Sequence, residues 1–218
     1  MLTDPIEKEI IAKARQKNVR DPSRSREHFE RIFKDFLGDV DLNGQLLLDL
    51  GPGQFDFGVM ARERKATVVG IDNDPAVLEL GRHKGFKIIE GQIQKLNPDD
   101  FPDKFDGIFC KFSINAFWFH DDFDELRKSV NGIVNLMKPD AWAWIAPWNG
   151  APKNANLSEN QIREVLSVQR DEFVKHGFQA FNLTTLLAKR YGIHGTTANM
   201  ALFARNVSIP KKIAGCSW

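Results

Sequence analysis

The stretch LLLDLGPGQF, residues 46–55, decides the fold of this chain. Its apolar residues form a run too short for a core helix and bounded by glycine, which is typical of a buried parallel strand. Gly51 and Gly53 allow a sharp backbone turn and the close approach of a ligand. A helix starting near Phe55 would direct its free N–H groups into the crevice above the strand. The stretch therefore predicts a nucleotide-type site at the carboxyl end of the first strand of an α/β sheet.

A second apolar run ends in a carboxylate. Residues 68–72, VVGID, predict another parallel strand, and Asp72 follows the glycine turn by about 20 residues, where a ribose-binding acid belongs. The dinucleotide fingerprint G-x-G-x-x-G fails here because Asp56 stands at its third glycine. A nicotinamide-dependent oxidoreductase stays open as an alternative at this point.

The two acid-ended motifs together resemble a known family. Asp49–Gly53 followed by Gly70–Asp72 is similar to the first two motifs of class I S-adenosylmethionine-dependent methyltransferases. In that family a third glycine often stands where this chain has Phe55. The resemblance spans about residues 40–206. It implies a three-layer αβα sandwich with a mostly parallel, seven-stranded, Rossmann-like sheet whose last strand is antiparallel.

The resemblance also implies S-adenosylmethionine as cofactor and assigns residues to it. Asp49 would orient the glycine turn and the methionine amine, and Asp72 would accept hydrogen bonds from both ribose hydroxyls. Further cofactor contacts are expected in the turn, beside the adenine and at the end of the fourth strand: Gly51, Pro52, Gly53, Asn73, Gln92, Ile93 and Lys111. No metal is expected, because no Asp ends the fourth strand as in the catechol-type enzymes.

Residues 111–120, KFSINAFWFH, lie where donor and acceptor should meet. The stretch lacks the N/D-P-P-Y/F tetrad of amino-methylating DNA enzymes and the Cys-Pro pair of cytosine-5 enzymes. Polar groups among large aromatic residues predict a pocket for a small molecule. His120 is a candidate general base, since imidazole titrates near neutral pH, and Asn115 is a second catalytic candidate. The candidate substrate contacts are Trp118, Trp148 and Asn149.

Composition limits the other classes of function. A chain of 218 residues with 42% hydrophobic residues predicts one compact core, and a net charge of +1 gives no field that favours nucleic acid or membrane. Two cysteines make no disulfide framework, and no long apolar segment is present. We therefore expect a cytoplasmic protein with a helical N-terminal segment (1–40), a cofactor-binding domain (41–206) and a C-terminal tail (207–218).

Helical periodicity predicts further elements that the structure can test. A helix over 122–138 should end at Pro139, before a fifth strand over 142–147. Ser158 and Gln161 form a capping box that should begin the next helix. The sixth and seventh strands are expected over 178–183 and 198–205, and N-terminal helices over 5–17 and 25–37.

The sequence thus predicts an S-adenosylmethionine-dependent methyltransferase that acts on a small molecule or a sugar-containing metabolite, at oxygen or nitrogen. Three alternatives stay open: a non-catalytic cofactor-binding subunit, a nicotinamide-dependent oxidoreductase, and an RNA methyltransferase. The last is disfavoured because the chain has no basic stripe with interleaved aromatic residues.

Overall fold

A computed structural model describes residues 4–14, 26–148, 150, 156–193 and 200–218. Its described strands form one sheet, with bounds β1 Leu46–Leu50, β2 Thr67–Asp72, β3 Lys87–Glu90, β4 Phe105–Lys111, β5 Met137–Ala146, β6 Gln179–Asn182 and β7 Ala201–Arg205. The strand order is β3-β2-β1-β4-β5-β7-β6. β1 to β5 pair in parallel, whereas β7 is antiparallel to both β5 and β6. The predicted seven-stranded sheet with an antiparallel last strand is confirmed.

Helices cover both faces of this sheet. The described helices are α1 Pro5–Lys13, α2 Arg26–Phe36, α3 Asp56–Glu63, α4 Pro75–His83, α5 Phe123–Asn135, α6 Glu159–Lys175, α7 Thr185–Arg190 and α8 Lys211–Ala214. Neighbouring residues of β1 show how the sheet divides the core. Leu47 packs with the apolar residues of α1 to α4, and Leu48 packs with those of α5 and α6. The side-chain period of two in a strand therefore produces the predicted three-layer sandwich.

A row of stacked rings joins α2 and α3 to the centre of the sheet. Phe57 lies parallel to Phe109 at a centroid distance of 4.1 Å, and Phe109 stacks on Trp144 at 5.0 Å. Phe33 of α2 extends the row by stacking on Phe57 at 5.4 Å. Each such pair contributes about 0.5–1.5 kcal/mol beyond the burial of its area. The row fixes the helix that follows the glycine turn against β4 and β5.

The predicted boundary between the fifth helix and the fifth strand was wrong. Helix α5 ends at Asn135 rather than Lys138, and β5 begins at Met137. Met137 pairs with Phe105 of β4, and the register then shifts before Gly107 pairs with Trp142. Because Pro139 lies in this irregular segment, it need not donate to the sheet ladder, so the strand can include it. Pro139 does not end the helix, because α5 has already ended at Asn135 and β5 has begun at Met137.

Other boundaries agree with the predictions to within a few residues. The capping box forms, with Ser158 Oγ accepting from Gln161 N and the Gln161 side chain accepting from Ser158 N at 2.9 Å. Residues 15–17 of the first predicted helix and 198–199 of the last predicted strand lie outside the described residues. In the C-terminal segment, Ile213 is buried and Ser217 bridges to Phe181 of β6. The division into segments 1–40, 41–206 and 207–218 stays a prediction. None of the described helices has the length and apolar character needed to cross a membrane.

Candidate functional site

A cleft of about 450 Å³ opens at the carboxyl ends of β1, β2 and β4. It is lined by Gly51, Asp72, Asn73, Gly91, Ile93, Gln94, Phe112, Ser113, Trp118 and Trp148. The strand order changes direction between β1 and β4, since β2 and β3 follow on one side and β5 on the other. The cleft therefore lies at the switch point where open α/β sheets bind their ligands.

The glycine turn forms the base of this cleft. Gly51 has a φ of 70° and Gly53 a φ of 56°, a backbone region that favours glycine. A Cβ at Gly51 would lie 1.7 Å from Ser113 Oγ, so the loop after β4 approaches the turn as closely as only glycine permits. Ser113 Oγ donates a long hydrogen bond of 3.4 Å to the Gly51 carbonyl. The sequence prediction of a tight turn open to a ligand is consistent with this geometry.

Phe55 stands where the resembling family often has its third glycine, and the structure shows how the turn tolerates it. Phe55 adopts the left-handed conformation, with φ 64°, directly before α3. Its ring is buried and stacks on Phe86 at 4.8 Å. Glycines make room for the ring, because a Cβ at Gly81 would lie 2.5 Å from it and a Cβ at Gly70 3.2 Å. The missing glycine is thus compensated by glycines elsewhere.

Asp72 projects from the end of β2 into the cleft. It is 3% exposed, and its Oδ1 accepts from the backbone N–H groups of Asn73 at 2.8 Å and Asp74 at 2.9 Å. Asp74 then caps α4 by accepting from Ala76 N, and Pro75 occupies the first turn of that helix. The predicted ribose-binding acid is therefore held rigidly by the turn that starts the next helix.

Asp49 is buried in β1, and its environment is unusual for a carboxylate. Burial raises its pKa well above the usual range, and the charges of Asp72 and Asp56 raise it further. Among the described residues, its Oδ2 atom has no hydrogen-bond partner. Burial also raises the pKa of Asp56, against the opposing effect of Lys84 and Lys111. A cationic group near Asp49 would offset the cost of ionising it.

Two of the predicted adenine contacts, Gln92 and Ile93, differ in whether they line the cleft. Ile93 is buried and lines the cleft. Gln92 is exposed and precedes the 3₁₀ turn Ile93–Lys95, whereas Gln94 within that turn lines the cleft. Sequence reasoning missed Gln94 and Gly91, because nothing in the pattern marks a 3₁₀ turn that exchanges which of two glutamines faces inward.

Neither predicted catalytic residue lines the cleft. Asn115 is 2% exposed, and its side chain accepts from Phe117 N at 2.9 Å and donates to Gly150 O at 3.1 Å. Half-buried His120 places Nδ1 3.0 Å from Phe117 O. Among the described residues that line the cleft, Asp72 is the only ionisable one. A catalytic role for either residue stays a prediction.

Three other predicted cofactor residues lie outside the cleft lining. Pro52 is buried in the glycine turn, and Gly53 follows it, partly exposed. Lys111 is 8% exposed, with its ammonium 4.6 Å from the ring centroid of Phe29 in α2. Phe112, which sequence reasoning missed, does line the cleft and has a φ of 72°. Phe112 N still donates to Ala146 O of β5 at 2.8 Å, so Phe112 lies directly at the end of β4, where it lines the cleft and Lys111 does not.

Both predicted tryptophan contacts lie at the cleft. Trp118 is 50% exposed and Trp148 is 47% exposed, and each contributes to the lining. The third predicted substrate contact, Asn149, lies outside the described residues. The two indoles, Phe112 and Ile93 supply the apolar side chains of the cleft, and Asp72, Asn73, Gln94 and Ser113 supply the polar ones.

Residues 48–145 match a family model described as a methyltransferase domain. No curated protein sequence matches the chain. The matched segment runs from β1 into β5 and so includes every described residue that lines the cleft except Trp148.

Several solved structures are similar to this chain at low sequence identity, and the first two below share its fold. A TehB-like S-adenosylmethionine-dependent methyltransferase from Corynebacterium glutamicum is 17% identical, with 95% of this chain and 100% of that chain covered and a TM-score of 0.52. Magnesium protoporphyrin IX methyltransferase from Synechocystis, solved with bound S-adenosylmethionine, is 16% identical, with coverage of 88% and 82% and a TM-score of 0.51. An amino pentose methyltransferase from Micromonospora echinaspora is 21% identical with a TM-score of 0.45, and this chain spans 54% of its length while 61% of this chain is covered.

Proposed function

Because residues 48–145 belong to the class I S-adenosylmethionine-dependent methyltransferases, whose cofactor is S-adenosylmethionine, we propose that this protein methylates a small molecule or a sugar-containing metabolite. The transfer is to an oxygen or a nitrogen atom. One observation carries the proposal. The glycine turn at Gly51 and the carboxylate of Asp72 line the same cleft, at the switch point of the sheet.

The residues present fit this cofactor. Asp72 would accept hydrogen bonds from the ribose hydroxyls, and the backbone at Gly51 and Gly53 would hold the methionine part. Asp49 is a buried acid whose Oδ2 has no hydrogen-bond partner among the described residues, which suits the positive charge of a sulfonium or an ammonium group. On the adenine side, the inward position of Gln94 makes it a better candidate than Gln92.

The chemistry requires little from side chains beyond positioning. The sulfonium of the cofactor makes its methyl group electrophilic, and displacement is in line. Holding the acceptor atom against that methyl group supplies much of the rate enhancement. With Asp72 as the only ionisable side chain on the described cleft wall, a nucleophile that needs no strong base, such as an amine, fits best. His120 does not line the cleft, so it would have to act from outside the lining residues.

The test is calorimetric binding of S-adenosylhomocysteine, S-adenosylmethionine and NADH. We expect the two sulfur ligands to bind with micromolar affinity, about −8 kcal/mol. Asp72→Ala should weaken them at least tenfold by removing the ribose contact. Asp72→Asn should weaken them while keeping an acceptor oxygen for the Asn73 and Asp74 N–H groups, and so controls for a misfolded turn. Exposed Asp121, outside the cleft lining, provides the matched control Asp121→Ala.

Four outcomes would contradict the proposal. Failure to bind either sulfur ligand would overturn it. Preferential binding of NADH would favour an oxidoreductase. Binding of S-adenosylmethionine without methylation of any small molecule in a nuclease-treated lysate would favour a non-catalytic subunit. A strong, salt-dependent affinity for RNA would instead point to RNA as the acceptor.

A further inference from the structure

Trp118 and Trp148 differ from the other three tryptophans of the chain. Trp142, Trp144 and Trp218 each contact a phenylalanine ring, either stacked or edge-on. Within the described part of the chain, Trp118 and Trp148 contact no other aromatic ring, although both line the cleft and are about half exposed. Large aromatic faces that stay open to a binding cleft are free to stack on a ligand.

The backbone around Trp148 is held in place by its neighbours. Trp148 N donates to Ile114 O at 2.8 Å, which ties the segment after β5 to the segment after β4. The indole packs against Gly150, where a Cβ would lie 2.8 Å from the ring. One side of the ring is therefore supported by the chain, while the ring as a whole stays 47% exposed.

Asn115 connects the two tryptophans. Its Oδ1 accepts from Phe117 N and so caps the 3₁₀ turn Ala116–Phe119, which carries Trp118. Its Nδ2 donates to Gly150 O, at the end of the segment that carries Trp148. A single buried amide thus satisfies a backbone group of each segment, and a buried polar network of this kind specifies one arrangement.

We propose that Trp118 and Trp148 form a subsite for an acceptor that carries an aromatic ring, and that Asn115 is its positioning residue. This inference rests on the proposed function and names the substrate class of the same cleft. The ring stacks on the indole faces and so brings its substituent towards the cofactor end of the cleft. No described residue of the lining is basic, so the subsite selects neutral or amine-bearing rings over phosphorylated ones.

Two amines of similar shape test the aromatic preference. The protein is saturated with S-adenosylhomocysteine and titrated with 2-phenylethylamine and with 2-cyclohexylethylamine, which lacks the π system. We expect the aromatic amine to bind about three- to tenfold more tightly, because an aromatic pair adds about 0.5–1.5 kcal/mol beyond area burial. Trp118→Leu and Trp148→Leu should each reduce this preference while keeping the site apolar. Trp218→Leu is the matched control, since Trp218 is also exposed but lies in a different groove.

The positioning role is tested by variants that leave both indoles present. Asn115→Ala removes both hydrogen bonds, and Gly150→Ala pushes the Trp148 ring from its support. Each should lower the ratio of the two amine affinities towards one without changing the affinity for S-adenosylhomocysteine. A purely structural role for Asn115 would lower the melting temperature and leave that ratio unchanged.

The results separate the two proposals. Equal binding of the two amines, or a preference retained in both leucine variants, overturns the aromatic subsite while S-adenosylhomocysteine binding stands. Equally tight binding of glucosamine would overturn it in favour of a sugar acceptor. Absence of S-adenosylhomocysteine binding overturns the proposed function and, with it, the acceptor role of the subsite.

Discussion

Asp49 is the penultimate residue of β1 and Asp72 is the last residue of β2, yet their surroundings are opposite. Asp72 accepts two backbone N–H groups and lines the cleft, so its charge is supported by the turn that follows it. Asp49 is buried, and its Oδ2 has no hydrogen-bond partner among the described residues. The negative charge of Asp72 is therefore stabilised by hydrogen bonds, whereas ionising Asp49 costs free energy because it is buried.

Asp49→Asn should stabilise the ligand-free protein and weaken its binding of S-adenosylmethionine. A pKa raised in the folded state means that the stabilising contribution of Asp49 is present at acidic pH and is lost as pH rises through the raised pKa. Asparagine does not ionise, so the variant avoids this loss of stability. We therefore expect the free energy of unfolding of the variant at neutral pH to exceed that of the wild type by about 1 kcal/mol. Affinity for S-adenosylmethionine should fall about 10- to 100-fold, as expected for a lost hydrogen bond to a charged group.

Denaturant unfolding and calorimetry, each at neutral pH and near pH 4, measure both effects. The stability gain of the variant should shrink at the acidic pH, because the carboxyl group of wild-type Asp49 is then neutral, as the asparagine amide is. A variant that is less stable than wild type at neutral pH would contradict the electrostatic interpretation.

At the scale of elements, α2 docks onto the end of α7 through one carboxylate. Asp35 Oδ2 accepts from Arg190 Nε at 3.1 Å, from Arg190 Nη2 at 2.8 Å and from the Tyr191 hydroxyl at 2.9 Å. The Tyr191 ring packs edge-on against Phe36 of the same helix, at 5.2 Å. This N-terminal helix is thus attached by polar and aromatic contacts to the connection between β6 and β7.

Tyr191 reports on this contact because it is the only tyrosine in the chain. Burial and the hydrogen bond to Asp35 raise its pKa to about 12. Its stabilising contribution is therefore complete below the ordinary tyrosine pKa, near 10, and is lost as pH rises towards 12. A near-ultraviolet titration of phenolate absorbance should show a single midpoint near 12 in the folded protein and near 10 in denaturant.

Asp35→Asn should lower that midpoint, since the carboxylate charge disfavours a nearby phenolate. Tyr191→Phe, which has no titrating phenol, is the blank. A folded protein that titrates near 10 would show that α2 is not docked as described.

At the scale of the whole molecule, the cleft depends on strands that are distant in sequence. Gly51 follows β1, Asp72 ends β2, Ser113 follows β4 and Trp148 follows β5. A ligand that binds only the folded arrangement must therefore stabilise the entire sheet. S-adenosylhomocysteine at 100 times its dissociation constant should raise the free energy of unfolding by about 2.7 kcal/mol.

Thermal unfolding with and without the ligand measures this coupling. Trp118→Leu should retain the full upward shift in melting temperature, because we assign the indole to the proposed acceptor subsite, whereas Asp72→Ala should lose it. An equal loss in both variants would mean that the cofactor and acceptor parts of the cleft are not separate.

Much of the fold followed from local patterns, and the failures have physical reasons. Apolar runs ending in Asp49 and Asp72 located two strands, and the capping box at Ser158 located the start of α6. The end of α5 was missed because Met137 can continue an apolar helical face, and only its pairing with Phe105 draws it into β5. Helical periodicity cannot detect the partner strand.

The candidate site, too, was only partly predictable from local sequence patterns. The sequence by itself determined the fold class and the glycine turn and located the acid at the end of β2, because strand, turn and strand-end acid lie within a short stretch and local chemistry decides them. Only the tertiary structure decided that Gln94 rather than Gln92 faces the cleft, that Phe55 fits beside Gly81, and that Asn115 joins two loops. Those facts depend on packing and hydrogen bonds between segments far apart in the chain, for which a sequence pattern carries no local signal.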